Sequence, residues 1–435
     1  MIWLVRELKP DFKTIADFRK DNAEAFKAVV REFTRLCRGL KLFGGQLLAI
    51  DGTKLKASNA SDRNWSQSKL DKQLGRTEAK LEEYLAALDQ ADQQAQAEGL
   101  GPSAGELQAK IARLQERKSQ IQERLQRLAQ SRDSQLSATD PDSRGMKGAH
   151  GHVVAYNVQG CVDAKHHLLV HTEVTNQPVD QGQLARVAQG AKAQLEIGQA
   201  EVLADGGYYK SEDIKACQEM GMEPHIPEVE NSPNERAGLF GKSDFRYEGQ
   251  NDVYYCPAGA QLRRRRQIKD KGRILFLYYH RQACKGCMLK ARCTKAAYRT
   301  LSRWEHEESL ERMAQKVAMA PEKLARRKTL IEHCWGTIKW LLPGGFLVRG
   351  KIKVGAEVSL VHFAYNLKRV LAVVGLEKLL AALAQFKPTA GPGAGKSATQ
   401  PSAWSALGAI VPRLRTAWGL GIAIANISRI VLASA

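Results

Sequence analysis

The stretch QLLAIDGT (residues 46–53) is a short apolar run that ends in an acid, Asp51. Gly44 and Gly45 precede it, and a short apolar run bounded by turn residues is typical of a buried β-strand. We therefore predict a strand that carries a carboxylate at its carboxyl end. Gly52 follows the acid and leaves backbone room for a large ligand.

A second acid has the same setting. Residues 201–204 (EVLA) predict a short strand that ends at Asp205, and Gly206 follows. Taken alone, an Asp before a Gly at the end of a strand is more often a turn residue than a functional one. Two such acids, each at the end of a predicted strand, are the first sign of a site.

The segments between and after these acids alternate between strand and helix patterns. They predict strands at 152–162 and 168–174, a helix at 180–197 and a further strand at 223–228. Proline in the last segment confines it to a sheet edge, because proline donates no ladder hydrogen bond. This succession predicts an α/β fold with a mixed sheet and flanking helices.

Residues 66–131 interrupt this alternation with mostly apolar residues spaced three and four apart. These are Leu70, Leu74, Thr77, Leu81, Tyr84 and Leu88, followed by Leu107, Ile111, Leu114, Lys118, Ile121, Leu125 and Leu128. Glycine and proline at 99–102 separate the two runs, so the pattern predicts two helices folded into an antiparallel coiled-coil hairpin. One long interrupted helix is the alternative. We assign no chemistry to this segment and interpret it as an arm or a partner surface.

A late helical segment, residues 305–342, carries a third acid, Glu332. Its buried face is predicted from Leu324, Ile331, Trp335, Ile338 and Leu342. Glu332 lies beside that face, with Lys328 and Lys339 roughly along its own line. A helical Glu between lysines is usually a solvated ion pair, but this placement also suits a carboxylate that holds a metal close to phosphate.

Three carboxylates on two strands and a helix suit metal-dependent cleavage of a phosphodiester. Two Mg²⁺ ions about 3.5–4 Å apart can stabilise both the attacking and the leaving oxygen. Mg²⁺ prefers carboxylate oxygens, usually one or two per ion, with water and phosphate completing its shell. Asp51, Asp205 and Glu332 are therefore the candidate catalytic residues and the candidate ligands of Mg²⁺ or Mn²⁺.

The charge balance indicates a polyanionic partner. The chain has 66 Lys and Arg against 46 Asp and Glu, a formal net charge of +20. Nucleic acid is the first candidate and an anionic membrane surface the second, while a merely basic protein is the alternative. The start of the chain does not have the pattern of a signal peptide, and polar residues interrupt the most apolar stretch, residues 417–435. We therefore expect no membrane partner.

Four cysteines predict a candidate zinc site. They are Cys256, Cys284, Cys287 and Cys293. The CxxC spacing at 284–287 is that of a metal knuckle, and Cys256-Pro257-x-Gly259 resembles the opposite knuckle. Four thiolates would suit a tetrahedral structural Zn²⁺. The longer gap before the last cysteine leaves free structural thiols as the alternative.

A run of four arginines lies in the same region. Arg263, Arg264, Arg265 and Arg266 are followed by further cations and by aromatic residues at 276–279. Such a patch is typical of phosphate binding, which gives affinity but little sequence information. A solvated charged hairpin is the alternative.

The motifs around the acids resemble those of bacterial insertion-sequence transposases of the DDE type. AIDGTKLKA resembles their first-acid motif, LADGGYYKSED their second, and RRKTLIEHCWGTIKWL their third-acid helix. DPDSRGMKGAHGHVVAYNVQGCVDAKHHLLV and AEVSLVHFAYNLKRV are similar to stretches that flank these motifs in the branch called insertion sequence eleven-eighty-two. The resemblance covers residues 6–372.

This resemblance implies a ribonuclease-H-like catalytic domain that holds Mg²⁺ or Mn²⁺ on the three acids. It implies that Arg327 and Lys339 fix DNA phosphate near the scissile bond. The predicted DNA contacts are Arg327, Lys328, Lys339 and Tyr208, together with the four arginines Arg263, Arg264, Arg265 and Arg266. The chain departs from the family in the residues after Glu332, which are His-Cys-Trp-Gly where members often have His-Pro-Phe-Gly.

We expect seven segments along the chain. They are a remnant of an amino-terminal helical DNA-binding region (1–43), a first part of the catalytic core (44–65), the coiled-coil insertion (66–135), the continued core (136–234), a Cys- and Arg-rich β insertion (235–303), the carboxyl-terminal core helices (304–386) and a low-complexity linker and tail (387–435). The first segment is shorter than the family's usual amino-terminal region.

The predicted function is a DNA transposase that cleaves the ends of its element and joins them to target DNA. We expect double-stranded DNA as the partner, a homo-oligomer on that DNA, and a place in the bacterial cytoplasm at the nucleoid. The shortened amino-terminal region and the unfamiliar tail motivate an alternative, an inactive transposase remnant that binds DNA without cutting it. A structural or interaction protein built on the coiled coil is a third possibility.

Overall fold

The computed structural model describes residues 17, 21–98, 104–131, 133–148, 151–228 and 232–387. The linker and tail predicted beyond Lys387 lie outside these residues, as does most of the stretch before residue 21. No helix in the described ranges is long and apolar enough to cross a membrane.

Strands and helices alternate over much of the described chain. The strands are β1 (Leu47–Lys56), β2 (Asn64–Ser66), β3 (Gln135–Ser137), β4 (Arg144–Gly148), β5 (Gly151–Asp163), β6 (Leu169–Thr175), β7 (Ala200–Leu203), β8 (Met222–His225), β9 (Arg246–Glu248), β10 (Val253–Tyr255), β11 (Gln261–Asp270), β12 (Arg273–Tyr279) and β13 (Thr300–Trp304). The helices are α1 (Ala23–Gly39), α2 (Gln67–Glu98), α3 (Ala104–Gln130), α4 (Leu184–Leu195), α5 (Ser211–Glu219), α6 (Pro233–Arg236), α7 (Arg281–Lys285), α8 (Lys290–Cys293), α9 (Glu307–Met319), α10 (Pro321–Leu341), α11 (Lys351–Val374) and α12 (Leu376–Gln385).

Six strands form the central sheet in the order β4–β5–β1–β7–β8, and β6 also pairs with β5. Strand β5 runs antiparallel to β1, whereas β7 runs parallel to β1 and β8 runs parallel to β7. The sheet is therefore mixed. Helices cover both of its faces, as is usual for sheets with parallel strands. The predicted α/β, ribonuclease-H-like fold class is confirmed.

Each face of β1 packs into its own apolar layer. Leu48 and Ile50 belong to a buried cluster that includes residues of α4 and α5. Ala49 and Leu55 belong to another that includes residues of α10 and α11. Because side chains alternate along a strand, Asp51 lies on the α10 side of the sheet and Gly52 on the α4 side.

The first acid does not end its strand, contrary to the prediction. Strand β1 continues five residues beyond Asp51 to Lys56, because its ladder with β5 runs on to the pair Lys56↔Ala155. The parallel partner β7 stops earlier, at the pair Leu203↔Ala49. Asp51 therefore lies where β1 has lost its β7 neighbour, and the chain that leaves β7 passes beside it.

The predicted late helix is two helices. Helix α9 ends at Met319, and α10 begins at Pro321, which occupies the first turn of the new helix. Proline is tolerated there because the first N–H groups of a helix have no intrahelical partner, whereas it breaks a helix interior. This break lets α10 take its own path across the sheet.

The two smaller assemblies lie outside the central sheet. Helices α2 and α3 pack on each other at the base of their hairpin through a buried cluster of Leu70, Ile121 and Leu128. An ion pair between Lys118 and Glu78, 2.9 Å long, joins them further along. Strands β9 to β13 form a second, antiparallel sheet in the order β13–β12–β11–β10–β9.

Helix α10 is seated on the sheet through Trp335. A Cβ added to Gly160 would lie 2.8 Å from Cη2 of Trp335, so only glycine leaves room for the indole. Gly160 is the register partner of Asp51. The contact therefore fixes α10 directly beside the first acid.

We predict that Gly160→Ala lowers the free energy of unfolding by about 1–3 kcal/mol, because the added methyl group overpacks this contact. Gly75→Ala is the matched control, since a Cβ there meets nothing within 4 Å. In a helix this control should be neutral or stabilising by up to about 1 kcal/mol. Urea unfolding of both variants measures the difference, and equal stability of the two would contradict the predicted seating of α10.

Candidate active site

Asp51 is a mostly buried carboxylate with a cationic neighbour. Its Oδ2 lies 3.4 Å from Nη1 of Arg327, and the side chains are 17% and 12% exposed respectively. Its Oδ1 accepts a hydrogen bond of 2.8 Å from the backbone N–H of Gly52. Burial raises the pKa of Asp51 to about 6, and the Arg327 guanidinium opposes that rise.

Asp205 lies beside Asp51 at the end of β7. It caps a short 3₁₀ turn, Gly206–Tyr208, and its Oδ1 accepts a 2.9 Å hydrogen bond from Gly207 N–H. The negative charge of Asp205 is close enough to raise the pKa of Asp51 further. The structure thus brings together the two predicted aspartates, one on β1 and the other two residues after the end of the parallel strand β7.

Glu332 lies on α10, one residue after the buried Ile331. Its side chain is exposed, as are those of Lys328 and Lys339. Among the contacts of the described residues, none joins the Glu332 carboxylate to Asp51 or Asp205. The structure therefore places the third acid on the helix that crosses the site, but not in contact with the other two acids.

Arg327 has a carboxylate partner, since its guanidinium pairs with Asp51. The phosphate contact that the resemblance implied stays a prediction. A guanidinium can bind either a carboxylate or a phosphate, since both offer oxygens that match its donors. The pair partly offsets the negative charge of the site.

Tyr208 is not available as a DNA contact. The side chain is fully buried, at 0% exposure, in the layer under α4 and α5. Its hydroxyl donates to Oε1 of Gln159 on β5. Tyr208 therefore holds the turn with Asp205 against the sheet. The prediction that Tyr208 contacts DNA is wrong.

Sequence reasoning missed a further carboxylate, Asp180, in the loop between β6 and α4. Its oxygens accept hydrogen bonds from Lys54 Nζ (2.9 and 3.1 Å), Asn157 Nδ2 (2.8 Å) and Gln159 Nε2 (2.8 Å). A Cβ added to Gly52 would lie 2.7 Å from Oδ1 of Asp180. The glycine after the first acid is thus required for the close approach of Asp180.

This polar cluster lies on the α4 side of the sheet, behind Asp51. Asn157 and Gln159 are almost completely buried, so their hydrogen bonds to Asp180 are needed to satisfy them. Gln159 also contacts Tyr208, which links Asp180 to the Asp205 turn. Position 180 follows no periodic pattern, and only the fold shows that it belongs to this region.

The four predicted zinc ligands line one cavity of about 280 Å³ at the edge of the second sheet. Cys256 follows β10, Cys284 lies in α7, Cys287 follows α7 and Cys293 ends α8. Burial raises the pKa of the Cys293 thiol, and the three other thiols add to that rise. Across the described chain, however, no three His, Cys, Asp or Glu side chains form a group that could hold a metal ion. The zinc site stays a prediction.

The four arginines lie on β11 and are all exposed. Arg264 stacks over Phe276 of the neighbouring strand, with its guanidinium carbon 3.5 Å from the ring centroid. A register shift between Arg264 and Arg266 marks a bulge in this ladder. An exposed cationic strand of this kind remains available for phosphate.

One comparison with known protein families gives a match over part of the chain. Residues 255–371 match the family model described as a transposase DDE domain. This stretch contains the cysteine cluster and all of α10, including Glu332, but neither Asp51 nor Asp205. Over these residues the chain is similar to the DDE domain of transposases.

The remaining comparisons add little. No curated protein matches the chain. A solved structure, the piggyBac transposase in a cryo-EM synaptic complex with hairpin DNA, aligns with 9% identity and a TM-score of 0.20. The alignment covers 62% of this chain and 58% of that chain. At this TM-score the similarity does not bear on the fold.

We predict a pH-dependent stability that depends on Asp51. Its folded pKa of about 6 exceeds the ordinary 3.8, so the folded state binds more protons across this window. The contribution of Asp51 to the free energy of unfolding is then greatest below pH 3.8. It falls by up to about 3 kcal/mol as the pH rises to about 6, and it stays constant above that pH.

Asp51→Asn removes this titration. In the presence of EDTA, the difference in free energy of unfolding between variant and native protein should shift in favour of the variant as the pH rises from 4 to 7. Urea unfolding at several pH values measures it. A difference that is constant with pH would show that the Asp51 carboxylate is not buried as described.

Proposed function

We propose that the protein is a DNA transposase that cleaves the ends of its element and transfers them into target DNA with a divalent metal. The observation that carries this proposal is the pair of aspartates beside α10, in a chain with a transposase DDE domain. The net charge of +20 supports DNA as the partner. Assembly as a homo-oligomer on DNA is part of the proposal.

The residues fit a Mg²⁺ or Mn²⁺ site in part. Asp51 and Asp205 supply two convergent carboxylates, which is as many as one Mg²⁺ ion usually takes from a protein. Glu332 would complete the set by approaching from α10, because it has no contact that holds it elsewhere in the described structure. When bound, the metal would activate the attacking oxygen and stabilise the leaving one.

The protein's own residues would then position DNA. Lys328 and Lys339 are exposed on α10 beside Glu332 and are suited to hold phosphate on either side of it. Arg327 would either stay on Asp51 or turn to phosphate as the metal takes its place. Catalysis of this kind depends mainly on positioning and on charge stabilisation.

The alternative is a remnant that binds DNA without cutting it. Two observations favour it: Glu332 makes no contact with either aspartate in the described structure, and Arg327 pairs with Asp51. Both proposals predict DNA binding, so only strand cleavage distinguishes them. Membership of the insertion sequence eleven-eighty-two branch is a further proposal, which inverted repeats on either side of the gene would support.

We predict Mg²⁺-dependent nicking of duplexes that carry the element's ends. Asp205→Ala and Glu332→Gln should each lower the rate at least about a hundredfold, since each removes a charge needed in the transition state. Glu322→Gln, an exposed glutamate at the start of the same helix, is the matched control and should leave the rate unchanged. DNA that is bound but never nicked by the native protein would establish the remnant instead.

We also propose a structural Zn²⁺ in the cavity that the four cysteines line. The second sheet has a small core, of which Phe245, Tyr254, Leu262, Tyr278 and Leu301 are the buried residues. Small cores commonly need a metal or a disulfide for stability. All four cysteines are free of disulfides.

We predict one zinc ion per chain by elemental analysis of protein purified without chelator. Cys284→Ser combined with Cys287→Ser should abolish zinc binding and loosen the second sheet, because two of four ligands are lost. Cys217→Ser, at a buried cysteine of α5 away from the cavity, should retain the zinc. Native protein without zinc would leave the cysteines as free thiols.

A further inference from the structure

Helix α3 of the coiled-coil hairpin carries all of its cations except Lys118 on one flank. On α3 the flank consists of Lys110, Arg113, Arg117, Gln120, Arg124 and Arg127, spaced three and four apart. Residues with this spacing lie on one side of a helix. At 1.5 Å per residue, the row is about 26 Å long. We call these residues the basic flank.

The other flank of α3 carries no charge. Gln115, Ser119, Gln122 and Gln126 occupy it, and all four are exposed. Five cations thus lie on one flank of α3 and none on the other, although Glu106 also belongs to the charged row, four positions before Lys110. This distribution favours a ligand of negative charge at the basic flank.

Helix α2 extends the basic flank. Gln73 lines a cavity together with Arg113, Arg117 and Arg124, so it lies on the same side of the hairpin. Arg76 follows Gln73 by three positions and Lys80 by seven, which places both on that side too, although Glu83 lies there as well.

Acidic residues of α2 lie toward the opposite side of the hairpin. These are Asp71, Glu78, Glu82 and Asp89. Glu78 is paired there with Lys118. The two sides of the hairpin thus have opposite charge.

A groove marks the base of the basic flank. Its volume is about 440 Å³, and Trp65 lies in its lining. The guanidinium carbon of Arg124 lies 4.2 Å from the Trp65 ring centroid, which fixes the side chain in place. Asp62 and Glu116 also line the groove, but within the described chain no ion pair engages Arg113, Arg117 or Arg124.

We propose that the basic flank binds the phosphate backbone of double-stranded DNA outside the active site. Arg113 and Arg117 are exposed, Arg124 is half-buried, and no ion pair of the described residues engages these three, whereas Arg127 pairs with Glu123. Guanidinium groups set in such a row suit the successive phosphates of a duplex. This inference rests on the proposed function only in taking DNA as the partner. Such contacts add affinity and orientation without reading sequence.

The test is the salt dependence of DNA binding by the full-length protein. The variant Arg113→Gln/Arg117→Gln/Arg124→Gln removes three positive charges from the basic flank and keeps good helix formers. Its matched control, Gln115→Glu/Gln122→Glu/Gln126→Glu, lowers the net charge by the same amount on the neutral flank of the same helix. Binding of a duplex of random sequence is measured from about 50 to 200 mM salt, a range over which phosphate contacts change affinity strongly.

The arginine variant should bind at least about tenfold more weakly at low salt, and the slope of log K against log salt should flatten by about 2 to 3. The control should keep the native slope. Equal losses in both variants would mean that only overall charge matters and would overturn the proposal.

Two further outcomes also decide the question. An unchanged slope with an altered sedimentation coefficient would assign the basic flank to a second copy of this chain and overturn the DNA proposal. Circular dichroism and melting curves check that both variants fold. If the native protein itself does not bind the duplex at low salt, the proposed function fails, which is distinct from a failure of the basic flank alone.

Discussion

The burial of the Asp51 charge at an interrupted point of the central sheet is the constraint on which the site depends. Strand β1 keeps its antiparallel partner β5 past this point but loses β7 two residues earlier. This gap leaves room for Asp205. Gly52 leaves room for Asp180 on one face of the sheet, and Gly160 leaves room for Trp335 on the other. A carboxylate held this way is costly unless a cation accompanies it.

Arg327 supplies that cation in the described structure. Its guanidinium lies on Asp51 and opposes the pKa rise that burial causes. In the proposed function a divalent metal would be held by the same carboxylate and would supply more positive charge there. Glu332 is exposed on the same helix as Arg327.

Much of this site could be predicted from sequence, because strand periodicity and local motifs are short-range signals. The pattern around Asp51 and Asp205 predicted two strands that each carry an acid, and these strands, β1 and β7, pair in parallel in the structure. Asp180 could not be predicted, since a loop residue has no periodicity and its partners come from β1 and β5. The burial of Tyr208 likewise depends on α4 and α5 and cannot be read from its motif.

The central claim is that Asp51 and Asp205 together form a divalent-metal platform. Titration of Mn²⁺ into the protein without DNA, followed by electron paramagnetic resonance of the free ion, measures this directly. The native protein should bind Mn²⁺, and Asp51→Asn or Asp205→Asn should weaken binding at least about tenfold, because each removes a carboxylate ligand. Glu322→Gln should bind as the native protein does. Binding that is absent from the native protein, or unaffected by both aspartate variants, would contradict the account.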